Sequence, residues 1–310
     1  MKLSQTRQID PTELSNMRLD AVIAASGYEA RATHAITTLE LPPTSSRVAF
    51  GFEDRISQQR KTNDAILTSA EVKIVTMDGN SSAAIRNYVS ALISQSNSDR
   101  PQLFVDYSSM TRAWYAGIIE AIMSIKEKKS VSCIFSYSPA AFTPPSHPSP
   151  NAIVGPIAGF CGLDVPEKPS ALVIGLGYER ERALGIFEYS DPAVAFAFYT
   201  DPALDDRYTS CVVRNNAPLL HSLGRANVFR HPLTDLQRIS SLLGSLYSAL
   251  TDEYRVVLAP LGIKPFSLIC LLLASRFADI DVWRISPGQK APPHERKPAG
   301  PVILLRADFE

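Results

Sequence analysis

Residues 21–31 read AVIAASGYEAR, and residues 171–182 read ALVIGLGYERER. Each stretch is an apolar run followed by a turn of small residues, the tripeptide Gly-Tyr-Glu and a helical pattern that soon contains arginine. The two copies begin about 150 residues apart, which is the size of a domain. The repeat therefore predicts two copies of one domain rather than a solenoid of short units. We expect a ligand to be held between these duplicated domains, where two equivalent loops meet.

The composition is that of an ordinary globular protein. Of the 310 residues, 45% are hydrophobic and 20% are charged, and this length suffices for two cores. The 31 basic residues are balanced by 31 acidic ones, which argues against general DNA binding because DNA-binding proteins are usually basic. Near-zero net charge gives little colloidal repulsion, which favours self-association into a homo-oligomer.

The sequence carries no signal of a membrane segment or of a metal site. No stretch reaches about 18 uninterrupted apolar residues, and the polar first 20 residues lack the apolar core of a signal peptide. The four cysteines show no paired spacing, as is typical of reduced thiols. HExxH, Walker A and GxGxxG motifs are absent from the sequence. We therefore expect a cytoplasmic protein with no metal, no cofactor and no membrane contact.

Short apolar runs alternate with helical patterns in the first half of the chain. Such runs, bounded by turn residues, are typical of strands that are buried on both faces. Their alternation with helices implies a parallel sheet covered on both sides. The predicted strands are residues 21–25, 47–52, 72–77, 103–107 and 131–137, and the predicted helices are residues 29–39, 57–69, 81–93 and 110–126.

The same alternation restarts after a proline-rich interruption. Here the predicted strands are residues 171–176, 193–199, 227–230, 255–259 and 281–285, followed by a final strand at 302–309, and the predicted helices are residues 179–187, 208–222, 233–249 and 265–277. The sequence thus predicts an α/β fold of two tandem Rossmann-like parallel-sheet domains related by internal duplication. Their bounds are residues 1–138 and 170–310, with a connector at 139–169.

The repeated tripeptides follow the first strand of each half. In an open parallel sheet, ligands bind beyond the carboxyl ends of the strands, where the strand order reverses. The tripeptides are Gly27-Tyr28-Glu29 and Gly177-Tyr178-Glu179. Glycine permits close backbone approach, and tyrosine can stack on a base. Packing could equally account for the tyrosine and the helix dipole for the glutamate, so the recurrence is what favours a role in ligand binding.

The loops after the fourth strands form a second matched pair. They read Asp106-Tyr107-Ser108-Ser109-Met110-Thr111-Arg112 and Pro260-Leu261-Gly262-Ile263-Lys264-Pro265. Each places small or hydroxyl residues and one cation, Arg112 or Lys264, where a helix begins. A helix N-terminus with hydroxyl donors and a cation suits a phosphate group. The alternative is that the serines only cap the helix and the proline only begins it. Arg112 lies 85 positions after Gly27, and Lys264 lies 87 after Gly177.

These loops carry a resemblance to a known family. The segment Asp106 to Arg112 resembles the Asp-x-Thr-Gly-Gly-Thr-Lys loop after the fourth strand of CARF (CRISPR-associated Rossmann fold) domains and the related SAVED sensors. Ser108 stands for the first threonine, Ser109 and Met110 stand for the glycines, and Arg112 stands for the lysine. Gly262-Ile263-Lys264 is similar to the end of the same motif. The resemblance implies a sensor of a nucleotide second messenger, such as a cyclic oligonucleotide, in prokaryotic antiviral defence.

The sequence thus leads to one expected function with two alternatives. We expect a phosphate-bearing nucleotide ligand bound by Gly27, Tyr28, Glu29, Ser108, Ser109, Thr111, Arg112, Gly177, Tyr178, Glu179, Gly262 and Lys264. Since no effector domain is recognisable in these residues, we expect the output to come from a separate effector protein, from assembly or from cleavage of the ligand. One alternative is a nucleotide-processing hydrolase resembling a ring nuclease, in which Tyr28, Glu29 or Glu179 would move protons because the loops contain no histidine. The other is a scaffold for an effector.

Overall fold

The computed structural model describes residues 1–44, 46–54, 58–126, 130–145, 153–163, 167–286 and 295–310. The chain divides into two compact units. The first comprises Met1–Ala141 together with Pro293–Glu310, and the second comprises Phe142–Pro292. Each unit is an α/β structure around one sheet of mostly parallel strands, which confirms the predicted fold class.

The strands and helices follow one another in the alternation that the sequence predicts. The strands are β1 (Leu3–Ile9), β2 (Ala21–Ser26), β3 (Arg47–Phe52), β4 (Lys73–Met77), β5 (Gln102–Asp106), β6 (Val131–Tyr137), β7 (Ile153–Pro156), β8 (Ser170–Gly175), β9 (Val194–Thr200), β10 (Val228–His231), β11 (Arg255–Pro260), β12 (Asp281–Ser286) and β13 (Ile303–Phe309). The helices are α1 (His34–Thr38), α2 (Gln58–Ser69), α3 (Ser82–Ser94), α4 (Arg112–Met123), α5 (Arg182–Ser190), α6 (Asp206–Asn215), α7 (Ala217–Leu223), α8 (Leu236–Leu250) and α9 (Lys264–Arg276), with 3₁₀ turns at Pro11–Asn16, Ala30–Thr33 and Arg225–Asn227.

The same strand order recurs in the two sheets. The first sheet has the order β1-β13-β6-β5-β2-β3-β4, and the second has the order β10-β9-β8-β11-β12-β7. In each unit the first of the five parallel strands lies in the middle of the sheet, the next two are added on one side of it, and the chain then crosses to add the fourth and fifth on the other side. The order therefore reverses between β2 and β5 in the first unit and between β8 and β11 in the second, which makes these the switch points of the two sheets.

The helices that follow the two fourth strands are the most deeply buried of each unit. Helix α4 is apolar around most of its circumference, and its Trp114, Tyr115 and Ile118 are fully covered. Helix α9 is buried from Pro265 through Ser275. A helix that is hydrophobic on all sides is held by its surroundings on all sides. The N-termini of α4 and α9, which point to the switch points, are therefore fixed firmly in place.

The C-terminal strand differs from the sequence-based expectation. The sequence led us to include residues 302–309 in the second domain, whereas β13 pairs antiparallel with β1 and β6 of the first sheet. Ile303, Leu305 and Phe309 are buried there. The alternate residues Ile303, Leu305, Ala307 and Phe309 give β13 one buried apolar face, which packs in the interior of the first unit, while Arg306 and Asp308 lie on its other face and are partly exposed. The first unit is thus built from both ends of the chain.

The predicted connector also contributes to a sheet. Residues 153–156 within it form β7, which pairs antiparallel with β12 at the edge of the second sheet. A proline-rich segment tolerates an edge position because an edge strand leaves part of its backbone unpaired. Each unit therefore places an antiparallel strand beside its fifth parallel strand, β13 beside β6 and β7 beside β12.

Candidate functional site

The two repeated loops of the first unit touch at its switch point. A Cβ atom added to Gly27 would lie 3.0 Å from the Cβ of Ser109, a contact close enough that Ser109 would have to shift slightly to accept it. The Ser109 hydroxyl lies 3.4 Å from Oε2 of Glu29. The loop after β2 and the loop after β5 therefore form one surface, as the switch-point rule predicts.

A buried ion pair lies under this surface. The Arg31 side chain is almost completely buried, and it donates from Nε to Oε2 of Glu29 and from Nη1 to the carbonyl oxygen of Ser138. Its guanidinium also lies 5.4 Å from the centre of the Tyr137 ring. Burial opposes the charge, but Glu29 and then Tyr137 outweigh it and raise the pKa of Arg31. Arg31 is therefore a permanent cation that orients the Glu29 carboxylate.

Arg296, which precedes β13, also lies next to Glu29. The Arg31 amide donates to the carbonyl of Arg296 over 3.2 Å, and Nε of Arg296 lies 3.9 Å from Oε1 of Glu29. The side chain of Arg296 is one-third exposed. Glu29 thus lies between one buried arginine and one accessible arginine. Sequence analysis did not place Arg296 at this site, because it follows the last helix and belongs to no repeated loop.

Ser108 lies below the surface and organises the loop. Its hydroxyl donates to Asp106, accepts the amide hydrogen of Ser138 over 2.7 Å, and is fully buried. The Ser108 amide also donates to Asp106. A hydroxyl with both roles filled in the interior supports the turn. The sequence analysis included Ser108 among the ligand-binding residues, and the structure places it in the interior of the loop.

Thr111 and Arg112 begin helix α4. The Thr111 hydroxyl accepts the amide hydrogen of Trp114 as the N-cap and donates to the carbonyl of Gly79 over 2.7 Å. Trp114 is anchored in turn, since its indole donates to the carbonyl of Asp78. Arg112 is the first residue of the helix and is half-buried. The helix entry is therefore rigid, and it presents a cation at the carboxyl edge of the sheet.

An asparagine from the next helix holds the Gly-Tyr-Glu loop from below. The side-chain amide of Asn63 on α2 donates to the carbonyl oxygens of Gly27 and Glu29 over 2.8 and 2.9 Å, and Asn63 is fully buried. Tyr28 lies between these two carbonyls in the sequence and is half-buried. Sequence analysis did not identify Asn63, because one polar residue in an amphipathic helix normally indicates the exposed face.

The second unit repeats this contact. The side-chain amide of Asn216, at the junction of α6 and α7, donates to the carbonyl oxygen of Gly177 over 2.9 Å. The neighbouring Asn215 donates to the carbonyl of Tyr178 over 2.6 Å. Asn63 lies 36 positions after Gly27, and Asn216 lies 39 after Gly177. The support of the loop by asparagine is therefore a further feature that the two units share.

The loops of the second unit are packed as closely as those of the first. A Cβ added to Gly262 would lie 2.4 Å from the carbonyl oxygen of Leu176, and one on Gly177 would lie 3.0 Å from that of Leu261. The amides of Leu261 and Gly262 both donate to the carbonyl of Gly175. Both glycines are thus explained by contact between the two loops at the switch point between β8 and β11.

The side chains of the second Gly-Tyr-Glu loop differ in exposure. Tyr178 is buried against Phe142 and Tyr208, so its ring is part of the core of the unit. Glu179 is about one-third exposed, and its Oε1 lies 3.7 Å from Arg182. A glutamate paired with a nearby arginine thus recurs, but in the second unit the pair is close to solvent and in the first it is buried.

Helix α9 begins differently from α4. In the described part of the chain, Ile263 at its N-cap provides no side-chain hydrogen bond to the first turn, whereas Thr111 caps α4. Lys264 is the first residue of α9, as Arg112 is of α4, and it is half-buried. Backbone N–H groups at an uncapped helix N-terminus attract anions, and a lysine in the first turn adds a full charge.

The structure therefore brings the predicted residues together within each unit and sorts them by exposure. Ser108, Ser109, Glu29 and Tyr178 are buried and maintain the loops, while Tyr28, Arg112, Glu179 and Lys264 are at least partly accessible. No family model matches the chain, and no curated protein matches its sequence. Among the residues that the structure describes, no helix is long and apolar enough to cross a membrane, and no group of three or more His, Cys, Asp or Glu side chains could hold a metal ion.

Proposed function

We propose that the protein binds a phosphate-bearing nucleotide at the switch-point loops of its units and acts as a sensor of a nucleotide second messenger. The observation that supports this most directly is the recurrence of one arrangement. In each unit a Gly-Tyr-Glu loop packs against the loop after the fourth strand, and a cation, Arg112 or Lys264, begins the helix that follows. This is the position at which open parallel sheets bind ligands.

The chemistry of the loops favours an anion. The half-buried Arg112 and Lys264 and the partly accessible Arg296 provide positive charge. The uncapped entry of α9 adds a helix dipole. Tyr28 provides a ring of the kind that stacks on nucleobases. The resemblance to CARF and SAVED sensors adds the biological setting, prokaryotic antiviral defence, with a cyclic oligonucleotide as ligand and a separate protein as effector.

The geometry of the first unit supports binding better than catalysis. Glu29, one of the three expected proton carriers beside Tyr28 and Glu179, is held by the permanent cation of Arg31. Burial raises the pKa of Tyr107 well above its ordinary value, which keeps that hydroxyl protonated and away from solvent. General acid–base catalysis needs a group that is accessible and whose pKa lies near the working pH. Neither Glu29 nor Tyr107 meets both conditions.

The test begins with the ligand that the purified protein carries. Protein purified under native conditions is denatured, and the released small molecules are identified by mass spectrometry. The apoprotein is then titrated calorimetrically with synthetic cyclic di-, tri- and tetranucleotides and with the matching linear forms. We expect a nucleotide in the released fraction, saturable binding of at least one cyclic form, and recovery of that form intact after prolonged incubation.

Two results would overturn the proposal. Time-dependent conversion of the cyclic ligand, abolished in Glu29→Gln while binding persists, would establish a nucleotide-processing hydrolase. The absence of nucleotide from the released fraction, together with no binding of any tested nucleotide, would leave only a scaffold for an effector protein.

A further inference from the structure

A small hollow lies at the amino ends of the strands of the second sheet, whereas the switch-point loops lie at their carboxyl ends. Ser170 and Arg255 are the first residues of the paired strands β8 and β11, and they lie side by side in the register. Two residues further on, Leu172 pairs with Val257 on the same face. Strand β8 has six residues, so the hollow lies roughly 20 Å from the loops, at about 3.3 Å per residue.

The hollow has an apolar floor and an aromatic corner. The buried Leu172 and Val257 lie beneath it, Trp283 of β12 forms one wall, and Tyr189 and Ser190 from the last turn of α5 form the other. The rings of Tyr189 and Trp283 lie 6.4 Å apart at an angle of 58°. Tyr189 is 67% exposed, so its ring is accessible to a ligand. The cavity volume is about 200 Å³, below the usual range of drug-sized sites, and this favours a ligand with a single ring.

Arg255 also lines the hollow, and its carboxylate neighbour, Asp281, is too far away to accept a hydrogen bond from it. Nε of Arg255 lies 3.9 Å from the nearest oxygen of Asp281, beyond hydrogen-bond distance. The other oxygen of that carboxylate accepts the Gly162 amide hydrogen. Within the described residues, the buried Nε–H has no hydrogen-bond acceptor, and the side chain as a whole is 36% exposed. An anion in the hollow would therefore meet a guanidinium with unused capacity.

We propose that this hollow is a second binding site and that its ligand is a small aromatic carboxylate. The ring packs against the corner of Tyr189 and Trp283, and the carboxylate faces the guanidinium of Arg255. The aromatic walls match the ring of such a ligand, and the guanidinium of Arg255, beside the hydroxyl residues Ser170 and Ser190 that also line the hollow, matches its carboxylate.

Three probes of similar size separate the parts of the proposal. Benzoate has both ring and charge, cyclohexanecarboxylate has the charge without an aromatic ring, and benzyl alcohol has the ring without the charge. Binding is followed by saturation-transfer NMR and by tryptophan emission. The chain has two tryptophans, and Trp114 is fully buried in the first unit, so a change in emission reports on Trp283.

We expect benzoate to bind saturably with a Kd of about 10 mM or tighter, as ligand efficiency predicts for nine non-hydrogen atoms. The other two probes should bind about tenfold more weakly or not at all. Arg255→Gln should weaken benzoate binding about tenfold or more, while the exposed Arg225→Gln serves as a matched control. A thermal melt of each variant confirms that the unit is folded.

The proposal is overturned if benzoate does not bind saturably. It is equally overturned if folded Arg255→Gln binds benzoate like the wild type, or if cyclohexanecarboxylate binds as tightly as benzoate. None of these outcomes bears on the nucleotide site, because that site lies at the other edge of the sheet.

Discussion

Arg31 and Glu29 form an ion pair of 2.7 Å in which both side chains are almost completely buried. A surface pair of similar length joins Arg7 to Glu13, with side chains that are 55% and 36% exposed. The two pairs have nearly the same geometry and very different surroundings. Removing one partner of a buried ion pair leaves the other charge buried and uncompensated, whereas an exposed charge is still solvated by water. Comparing the loss of stability on breaking each pair therefore measures how much the first Gly-Tyr-Glu loop depends on its buried pair.

The first prediction is that Arg31→Leu destabilises the first unit by about 3–5 kcal/mol, because it leaves the Glu29 carboxylate buried without its cation. Arg7→Leu should cost about 0–1 kcal/mol, as is usual for an exposed pair. The measurement is urea unfolding followed by the emission of Trp114 in a Trp283→Phe background. Equal losses in the two variants would show that the Arg31 pair has no special role.

The second prediction concerns the asparagines that support the loops. Asn63→Ala removes two hydrogen bonds and leaves the carbonyls of Gly27 and Glu29 buried, so it should cost about 1–3 kcal/mol. Asn80→Ala, on the exposed surface of the same unit, is the control. Hydrogen exchange of the backbone amides around residues 27–31 should speed up only in Asn63→Ala. Unchanged protection there would contradict the supporting role of Asn63.

The third prediction tests the division of the chain. Residues 142–292 contain all six strands of the second sheet and should fold alone. Residues 1–141 lack β13, so β1 loses its partner and one edge of β6 is left unpaired. This fragment should fold cooperatively only when residues 293–310 are fused or added to it. Circular dichroism during urea unfolding checks both parts, and cooperative unfolding of residues 1–141 alone would show that β13 is dispensable.

The fourth prediction is a pH dependence of the second unit. Burial lowers the pKa of His231 from 6.5 to about 4, and the imidazole lies parallel to the ring of Phe266. Between pH 4 and pH 6.5, the His231 imidazole is therefore protonated in the unfolded chain but neutral in the folded unit. The stabilising contribution is therefore present above pH 6.5 and is lost as the pH falls towards 4, by about 3 kcal/mol in total.

Comparison with His231→Gln isolates this contribution. Urea unfolding is followed by the emission of Trp283 in a Trp114→Phe background, for wild type and variant, from pH 7.5 to pH 4. The difference in free energy of unfolding should shrink as the pH falls, and the same substitution at the exposed His221 is the control. A difference that is constant over this range would mean that His231 titrates normally in the folded unit.

The strands could be predicted from the sequence because buried parallel strands are continuous apolar runs. The predicted limits of β3 and β6 are those of the structure, and the other predicted strands agree within a residue or two. Strand β1 was not predicted, because only Leu3 and Ile9 are buried in it and its other residues read as a polar segment. The partner of β13 could not be predicted either, since its apolar face, which contains Ile303, Leu305 and Phe309, could pack equally well in either sheet.

The site could be predicted only at the level of loops. Strand order and the switch-point rule indicate which loops meet, and the repeat indicates which residues matter. The depth of each side chain depends on packing from elsewhere. Ser108 is buried because Asp106 and Ser138 bind its hydroxyl, and Glu29 is buried because Arg31 provides its charge. Ser138 is distant from Ser108 in the sequence, and an arginine close to a glutamate, such as Arg31, can equally lie on the surface. The sequence therefore does not distinguish the exposed residues of a motif from the buried ones.

The fifth prediction separates the ligand-binding cations from the residues that maintain the loops. Arg112→Ala and Lys264→Ala should each weaken nucleotide binding about 10- to 150-fold, the effect of losing a charge-assisted contact of about 1.5–3 kcal/mol. Neither should lower the melting temperature appreciably. Arg100→Ala removes an exposed cation just before the amino end of β5; it is the control and should bind nucleotide normally.

Ser108→Ala should instead lower stability, by about 1–3 kcal/mol, because the buried Ser108 hydroxyl holds the turn. Calorimetric titration with the cyclic nucleotide that the wild-type protein binds, paired with thermal melts, measures both quantities. Normal affinity in both Arg112→Ala and Lys264→Ala would remove the two helix entries from the site.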